Sequence, residues 1–439
     1  MKVTQKKIDS NTVHLDAIAT AQEVDNALHS AQVAFAQSMG MRPEQGKTVA
    51  EAAKEQMGIS DVNSIVEPQA IAALVPMALD KKNIIPAYMP KPVTKSKLKA
   101  GNDFSFSLDV KLRPEYELTS YEPVSFTAPK YTFDDSIVDM RLDELANNYT
   151  SYEKVEDVDS DYVIKSGDSI KIALEASEDG KRIDGLSTEG RTYCTGQGYM
   201  PEGFDKEVIG MKVGETKEFS FEGPGFDDDF NEITQTVDAK VTVVELQHEV
   251  KPEITDEWLK KNMPMVGGLD ALRSDIRRDI EGATRAQYDA FIRQLAAAEA
   301  AKRFEGKIDD EVYESARANM IDTIRHQLQQ ENKTWESFVE ENGGEQQFSM
   351  MLMLQIREML VQGFALDAIF RHENLTLSDD DIEAACLAMN PQIPPKTLRE
   401  QMTKAGQGFA LRETAERYKA NNWLVEHADI TYQDAPAQA

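Results

Sequence analysis

The sequence predicts a multidomain α+β chain: an α+β domain at the N-terminus, a small twisted antiparallel sheet domain in the middle and an all-helical C-terminal domain. Three observations lead there. At 439 residues the chain exceeds what one hydrophobic core usually supports, which sets a prior of about three domains. Hydrophobic residues at 41% and charged residues at 28% are ordinary globular usage, so neither wholesale disorder nor a fibrous repeat is indicated. The apolar period also changes along the chain, from mixed, to alternate residues, to every fourth residue.

Residues 1–118 form the first predicted domain. Val24, Leu28 and Phe35 mark a helix over about 21–37, and Phe104, Phe106, Leu108 and Val110 alternate as one face of a strand. Residues 119–154 are read as a linker and a helix that packs with the C-terminal domain. Asp134 and Asp135 suit a helix N-terminus, and Val138, Leu142, Leu145 and Tyr149 follow at helical steps, before a connection over 153–168. Residues 155–247 return to strand signals: Ile170, Ile172 and Leu174 alternate, "EDGK" at 178–181 has hairpin chemistry, and "KVGETKEFSF" and "AKVTVVEL" are further strands. Residues 248–430 are helical. Thr255 is the expected N-cap in "ITDEWL", and Val312, Ala316, Met320, Ile324 and Leu328 recur every four residues, with a break at Pro394 and Pro395. Residues 431–439 are expected to be a disordered tail.

The formal net charge of −29 and a pI near 4.6 argue against a surface that embraces DNA. The distribution matters more than the sum. Residues 1–118 hold fourteen basic and fourteen acidic side chains, so the whole excess of acid lies in the remainder. Within that neutral end Lys81, Lys82, Lys91, Lys95, Lys97 and Lys99 fall in a stretch, 81–102, that contains no acid. Either it is a solvated loop or it contacts phosphates through counterion release. Cys194 and Cys386 lie far apart with no ligand spacing, and the six histidines are scattered, so no metal, cofactor or disulfide scaffold is expected and a reducing, cytoplasmic setting fits. Charged residues interrupt any signal-like start, and the longest apolar run, around 69–79, is shorter than a bilayer requires, so no membrane partner is expected.

The stretch "GQGYMPEGF", residues 196–204, carries two glycines, a proline and two aromatics. A phosphate cradle needs a helix N-terminus or a Lys-Ser/Thr pair behind its glycines, and neither sequence signal follows here. A turn into a short helix at about 201–209, or the floor of an apolar pocket based on Phe204, are the readings left. Extended to "GQGYMPEGFDKEVIGMKVGETKEF", the segment resembles the FKBP-type peptidyl-prolyl isomerase core, in which a G-x-G stretch, an apolar pair and an aromatic on a short helix precede a "GMKVGE" turn. An α+β N-domain, an inserted FKBP-like domain and a helical C-terminal half, in this order, are similar to the bacterial trigger factor family over roughly 1–430.

That resemblance implies a chaperone that docks at the ribosomal exit tunnel, on its protein and RNA, and engages nascent or unfolded polypeptides, with self-association into a homodimer away from the ribosome. It implies a docking loop with a signature close to G-F-R-[KP]-G-K-x-P. The chain has "GMRPEQGKTV" at 40–49: Gly40, Arg42, Pro43, Gly46 and Lys47 match if Glu44 and Gln45 are an insertion, Met41 replaces the phenylalanine, and the closing proline is absent. The resemblance also places a proline-binding pocket at Leu174, Ile183, Tyr193, Met200, Pro201, Phe204, Phe226, Phe230 and Val241. Leu174, Ile183 and Val241 stand where family members carry phenylalanines, no phenol stands near Phe226 and Phe230, and Ala173 replaces a conserved aspartate. Rotating an X-Pro amide meets a barrier of about 18–20 kcal/mol. A pocket lowers it by stabilising the twisted, less polar state, so a loss of aromatic walls implies reduced catalysis.

The segment "FSMMLMLQIREMLVQGFALDAIF", 348–370, puts Met350, Met351, Met353 and Met359 on one helix. Such a helix is ordinarily core. The alternative is that Met350, Met353 and Met359 line a client-binding surface, since thioethers adapt to many partners. A chaperone that binds unfolded chains is thus the leading expectation, with a prolyl isomerase or a ribosome-independent holdase as competitors.

Overall fold

The computed structural model describes every residue except 43–45, 179, 227–231, 332 and 435–439, and of 225, 226, 232 and 233 it describes the backbone alone. Two compact units emerge, residues 1–131 with 287–439, and residues 132–286.

The first unit opens with strands β1 (Lys2–Lys7) and β2 (Thr12–Ala19), helices α1 (Ala21–Ser38), α2 (Val49–Met57) and α3 (Val62–Lys81), and strands β3 (Val93–Thr94) and β4 (Phe104–Lys111). The strands form an antiparallel sheet in the order β1-β2-β4-β3. The alternation read at Phe104, Phe106, Leu108 and Val110 is the buried face of β4, and Leu15, Val24, Leu74 and Leu79 join it in one core. Helix α1 begins at a capping box in which Thr20 accepts from the Glu23 amide and Glu23 accepts from the Thr20 amide. Helix α3 is long and apolar enough by composition to cross a bilayer, longer than the run at 69–79 implied, yet Val62, Val66, Ala70, Leu74 and Leu79 point into this core. Two short strands follow, β5 (Glu117–Leu118) and β6 (Ser125–Pro129).

The second unit contains α4 (Ser136–Asn148), β7 (Ser151–Lys154), β8 (Ser169–Glu178), β9 (Lys181–Arg182), β10 (Thr188–Cys194), α5 (Glu202–Val208), β11 (Thr216–Phe226), β12 (Glu232–Val250), α6 (Asp256–Asn262) and residues 269–286 of α7 (Leu269–Ala301). The sheet runs β10-β8-β12-β11, with β7 on β12 and β9 on β8. Inward residues Ile170, Ile172, Leu174, Val237, Val241 and Val243 form its apolar face and α5 covers it with Phe204 and Val208. Val138 and Leu142 of α4 are buried as their spacing predicts, whereas Tyr149 ends the helix as an exposed cap. Lys154 pairs with Gln247 and Ser151 with Val250, so the chain enters and leaves this sheet side by side. Thr255 caps α6 as expected, accepting from the Trp258 amide.

The first unit is completed by β13 (Phe304–Glu305), α8 (Asp310–Gln330), α9 (Trp335–Glu341), α10 (Gly344–His372), α11 (Asp379–Met389), α12 (Pro395–Lys404), α13 (Gly408–Glu426) and β14 (Asp429–Gln433). One expectation is corrected here. Residues 431–433, assigned to a disordered tail, are strand residues of β14, held by a parallel ladder in which Thr431, Tyr432 and Gln433 face Thr127, Ala128 and Pro129 of β6. Helix α13 also meets the N-terminal fold at close quarters. Gly406, at φ +71°, lies where a Cβ would come 2.6 Å from the Met77 backbone, and Phe409 belongs to the N-terminal core.

A buried ionic cluster ties the same parts together. Asp367 of α10 has a side chain only 1% exposed and accepts from Arg417 Nε and Nη2 at 2.9 Å each and from Arg113 Nη1 at 3.3 Å. Arg113 also reaches Glu416 at 2.8 Å, and Arg417 reaches Glu413 at 2.8 Å. A planar guanidinium can hold a carboxylate by two parallel bonds, which is why arginine serves here.

Candidate functional site

Three places gather the residues singled out by the sequence. The first is the connection from α1 to α2. Helix α1 ends with Gly40 at φ +66°, its amide donating to Gln37 O at 3.1 Å and the Met41 amide donating to Ala36 O at 2.8 Å. This paired bonding needs a left-handed residue after the helix, a conformation glycine adopts without strain. It turns Met41 inward against the core, 7% exposed beside buried Ala36. Met41 is therefore an anchor of the loop and not a contact surface, a correction to its place in the docking set. Arg42 is exposed and makes no ion pair among the described residues, Pro43 lies outside them, and Gly46 adopts φ +90°. Lys47 Nζ sits 2.6 Å from Glu55 Oε2, so part of its charge is answered within the protein. Thr48 closes the loop as the N-cap of α2, in a capping box with Glu51.

The second place is the sheet of the second unit. Phe204 is fully buried and receives ring edges from Tyr193 at 5.5 Å and 89° and from Phe221 at 5.3 Å and 76°, with Phe219 tilted at 5.5 Å. Such edge-to-face geometry follows from the ring quadrupoles. Leu174 and Val241 face one another across β8 and β12 and are buried beneath these rings. The Tyr193 hydroxyl donates to Asp205 Oδ1, which also accepts the Gly196 amide at 3.1 Å. Burial, reinforced by the Asp205 carboxylate, pushes the Tyr193 hydroxyl far above the ordinary phenol range and keeps it a donor. Gly196, at φ +72°, lies where a Cβ would come 2.2 Å from Ser166 Oγ, so the first glycine of "GQG" permits a close approach of these two segments.

The nine residues assigned to a proline pocket thus divide. Leu174, Tyr193, Phe204 and Val241 are interior: side-chain alternation and the cover formed by α5 place them in the domain's apolar core. Ile183 and Met200 are only partly buried against that core, and Pro201 precedes α5 at its N-terminus. Phe226 has a described backbone in β11 and no described side chain, and Phe230 lies outside the described residues. Phe219, which the sequence reading passed over, is a further half-open aromatic packed against this core, and Asp205 is a buried carboxylate that it did not single out. Phe219 also borders a cavity of about 530 Å³ in this domain, ringed by Glu175, Arg182, Glu218, Asp238 and Lys240. Those five residues are exposed, on the sheet face that alternates with the core face.

The third place is the helical hairpin of α8, α9 and α10. Phe348, Leu352 and Ile356 form a buried stripe on α10 against Tyr313, Ile321, Trp335 and Phe338. The methionines beside that stripe turn away from it: Met350 is 60% exposed, Met353 55% and Leu354 60%, with Met351 and Met359 also open. The expectation that this methionine-rich helix is simply core is corrected for those positions, because the i, i+4 stripe already satisfies the partners on α8 and α9. A cavity of about 440 Å³ opens between the three helices, with Trp335, Val339 and Phe348 inside and Glu336, Glu340 and Glu345 on its border. Among the described residues no group of three or more His, Cys, Asp or Glu side chains is placed to hold a metal ion.

Comparison with known proteins follows the same division of the chain. Residues 1–145 match a family model described as bacterial trigger factor protein, residues 268–426 match one described as bacterial trigger factor protein C-terminus, and residues 161–225 match one described as FKBP-type peptidyl-prolyl cis-trans isomerase. Similar full-length relatives include the trigger factor of Pelotomaculum thermopropionicum, 26% identical with both chains wholly covered. The trigger factor of Thermobifida fusca is 24% identical over 98% of this chain and 92% of its own, and that of Desulforudis audaxviator is 25% identical over 99% of each. A solved structure of the trigger factor chaperone is similar over 97% of this chain and 99% of its own, at 18% identity and a TM-score of 0.39.

Proposed function

The chain belongs to the bacterial trigger factor family and is a chaperone with an FKBP-type domain, and from that premise we propose how it works. Nascent or unfolded polypeptides are held on the outer face of α10, in the cytoplasm, while the loop from α1 to α2 presents Arg42 to the ribosome beside the exit. The observation that carries this reading is the open row of Met350, Met353 and Leu354 on a helix whose opposite stripe is already buried. Apolar surface of this kind on a folded protein marks a binding site, and thioether side chains repack against many clients. The excess of acid over residues 119–439 keeps such a surface soluble and favours basic client segments.

In the same reading the FKBP-type domain binds prolyl segments at the rim of Ile183, Met200 and Phe219 and catalyses their isomerisation weakly. Its deepest aromatic, Phe204, is committed to the core, so few aromatic faces remain to exclude water from a twisted amide.

One comparison tests both halves. Because Lys154 and Gln247 are neighbours in a ladder, residues 155–246 can be replaced by a two-residue Asn-Gly hairpin turn joining Lys154 to Gln247. The shortened chain is expected to suppress aggregation of an unfolded client about as well as the full chain and to lose all acceleration of proline-limited refolding. Loss of suppression together with the sheet would assign holding to the FKBP-type domain and overturn the reading.

A further inference from the structure

Four lysines of 81–102 lack the ion pairs that hold many of the chain's other cations. Lys206, Lys217, Lys251, Arg273 and Arg277 are each held by a carboxylate within 4.0 Å. Among the described residues Lys91, Lys95, Lys97 and Lys99 are exposed and have no ion pair at all. Lys95, Lys97 and Lys99 follow directly on the edge strand β3, and their segment is fastened from within. Leu98 is buried in the N-terminal core at 8% exposure, its amide donates to Glu67 Oε1 at 2.7 Å, and the Gly101 amide donates to Asp25 Oδ1 at 2.7 Å. An anchored backbone with three solvent-facing ammonium groups is a fixed array of charge, in contrast to a loose basic tail.

Its position is equally specific. Glu67 lies in the second turn of α3, and Lys97 is close enough to the α3 N-cap, Asp61, to help hold that carboxyl below its usual range, behind its bonds from Ser64. Gln32, in the second half of α1, donates to Asn63 Oδ1 in the first turn of α3 at 2.6 Å. Lys97 and the second half of α1, the helix that leads into Gly40–Lys47, therefore both border the start of α3, while Gly101 is fastened near the start of α1.

We propose that Lys95, Lys97 and Lys99 form a second, phosphate-binding strip that takes the backbone of ribosomal RNA beside the point where Arg42 docks. This rests on the ribosome-docking reading and adds to it a separate contact with its own chemistry. Compact ammonium groups suit phosphate oxygens, and the association they drive is entropic, through release of counterions, and sensitive to salt. It also explains how a chain with net charge −29 approaches a polyanion: the neutral N-terminal end presents its unpaired lysines while the acid lies elsewhere.

The test uses the full chain and a Lys95→Gln, Lys97→Gln, Lys99→Gln variant, which leaves Leu98 and the core untouched. Binding to a fluorescent single-stranded RNA oligonucleotide and co-sedimentation with ribosomes are measured across a salt series. Without the three ammonium groups, the slope of log affinity against log salt on the oligonucleotide falls by about 2. The ribosome slope falls in parallel, and an Arg42→Ala variant weakens pelleting on its own. If the parent chain fails to pellet while the oligonucleotide slope still falls, the docking reading fails and the strip stands as an RNA-binding surface. An unchanged oligonucleotide slope overturns the strip whatever the ribosomes do. So does an effect of the variant confined to phosphatidylglycerol vesicles, which would mark the lysines as a lipid contact.

Discussion

Replacing Asp367 by alanine is expected to loosen the contact between α10 and α13 by about 3–5 kcal/mol, the usual cost of stranding one side of a buried ion pair. The carboxylate answers two guanidinium groups at once, and its side chain is 1% exposed, so bulk solvent does not share that task. Removing it leaves Arg417 and Arg113 facing one another across an empty site, with Glu413 and Glu416 as their remaining partners. Burial already pushes the Glu413 carboxyl above its ordinary range in spite of Arg417, so that group is a poor substitute. Hydrogen exchange of the α10 and α13 amides reports this locally, and protection there should fall by at least a hundredfold, since each 1.4 kcal/mol or so is tenfold. A variant with Arg113→Met, Asp367→Leu, Glu413→Leu and Arg417→Met, in which Glu416 keeps Arg412, should recover much of the loss, because the apolar replacements need no partners. Protection in Asp367→Ala within about tenfold of the parent would show that the cluster contributes little.

Phe204→Ala is expected to cost a similar amount, about 3–5 kcal/mol, and to cost it in folding before function. The side chain is fully buried among Tyr193, Phe219 and Phe221, and α5 has few other apolar attachments to the sheet, chiefly Val208. The expected signature is loss of exchange protection throughout β8, β11 and β12, with no change in α8 or α10. A variant that keeps the sheet fully protected and loses only its action on proline-limited refolding would restore Phe204 to the role of an open pocket floor.

Local pattern reached much of this fold. Alternation placed β4 and β8, four-residue steps placed α8, and capping chemistry placed the start of α6, because each of those signals is set by residues a few positions apart. Pairing between distant segments left no such mark. The parallel ladder of β14 on β6 joins residues some 300 positions apart, and Thr431–Gln433 looks like a polar tail without its partner. The candidate sites were legible in location and less so in role. Met41 matches a loop signature by position, yet the left-handed Gly40 turns it into the core. Phe204 and Val241 were visible as pocket residues by resemblance, and only the packing of α5 showed how deeply they sit in the core. Asp205 and Asp367 carried no signal at all, since one acid among many declares itself only when burial and its partners are known.

The claim that holding unfolded chains is the work of the open face of α10 is tested most directly by a Met350→Gln, Met353→Gln, Leu354→Gln variant of the full chain. Glutamine keeps the length of the side chain and suits a helix, and all three positions are exposed, so stability should move by no more than about 0.5 kcal/mol. The measurement is the amount of protein needed to halve aggregation of a denatured client. The variant is expected to require on the order of ten times more than the parent, about 1.4 kcal/mol of lost client binding, with ribosome pelleting unchanged. Equal suppression by both proteins at every concentration would contradict the account.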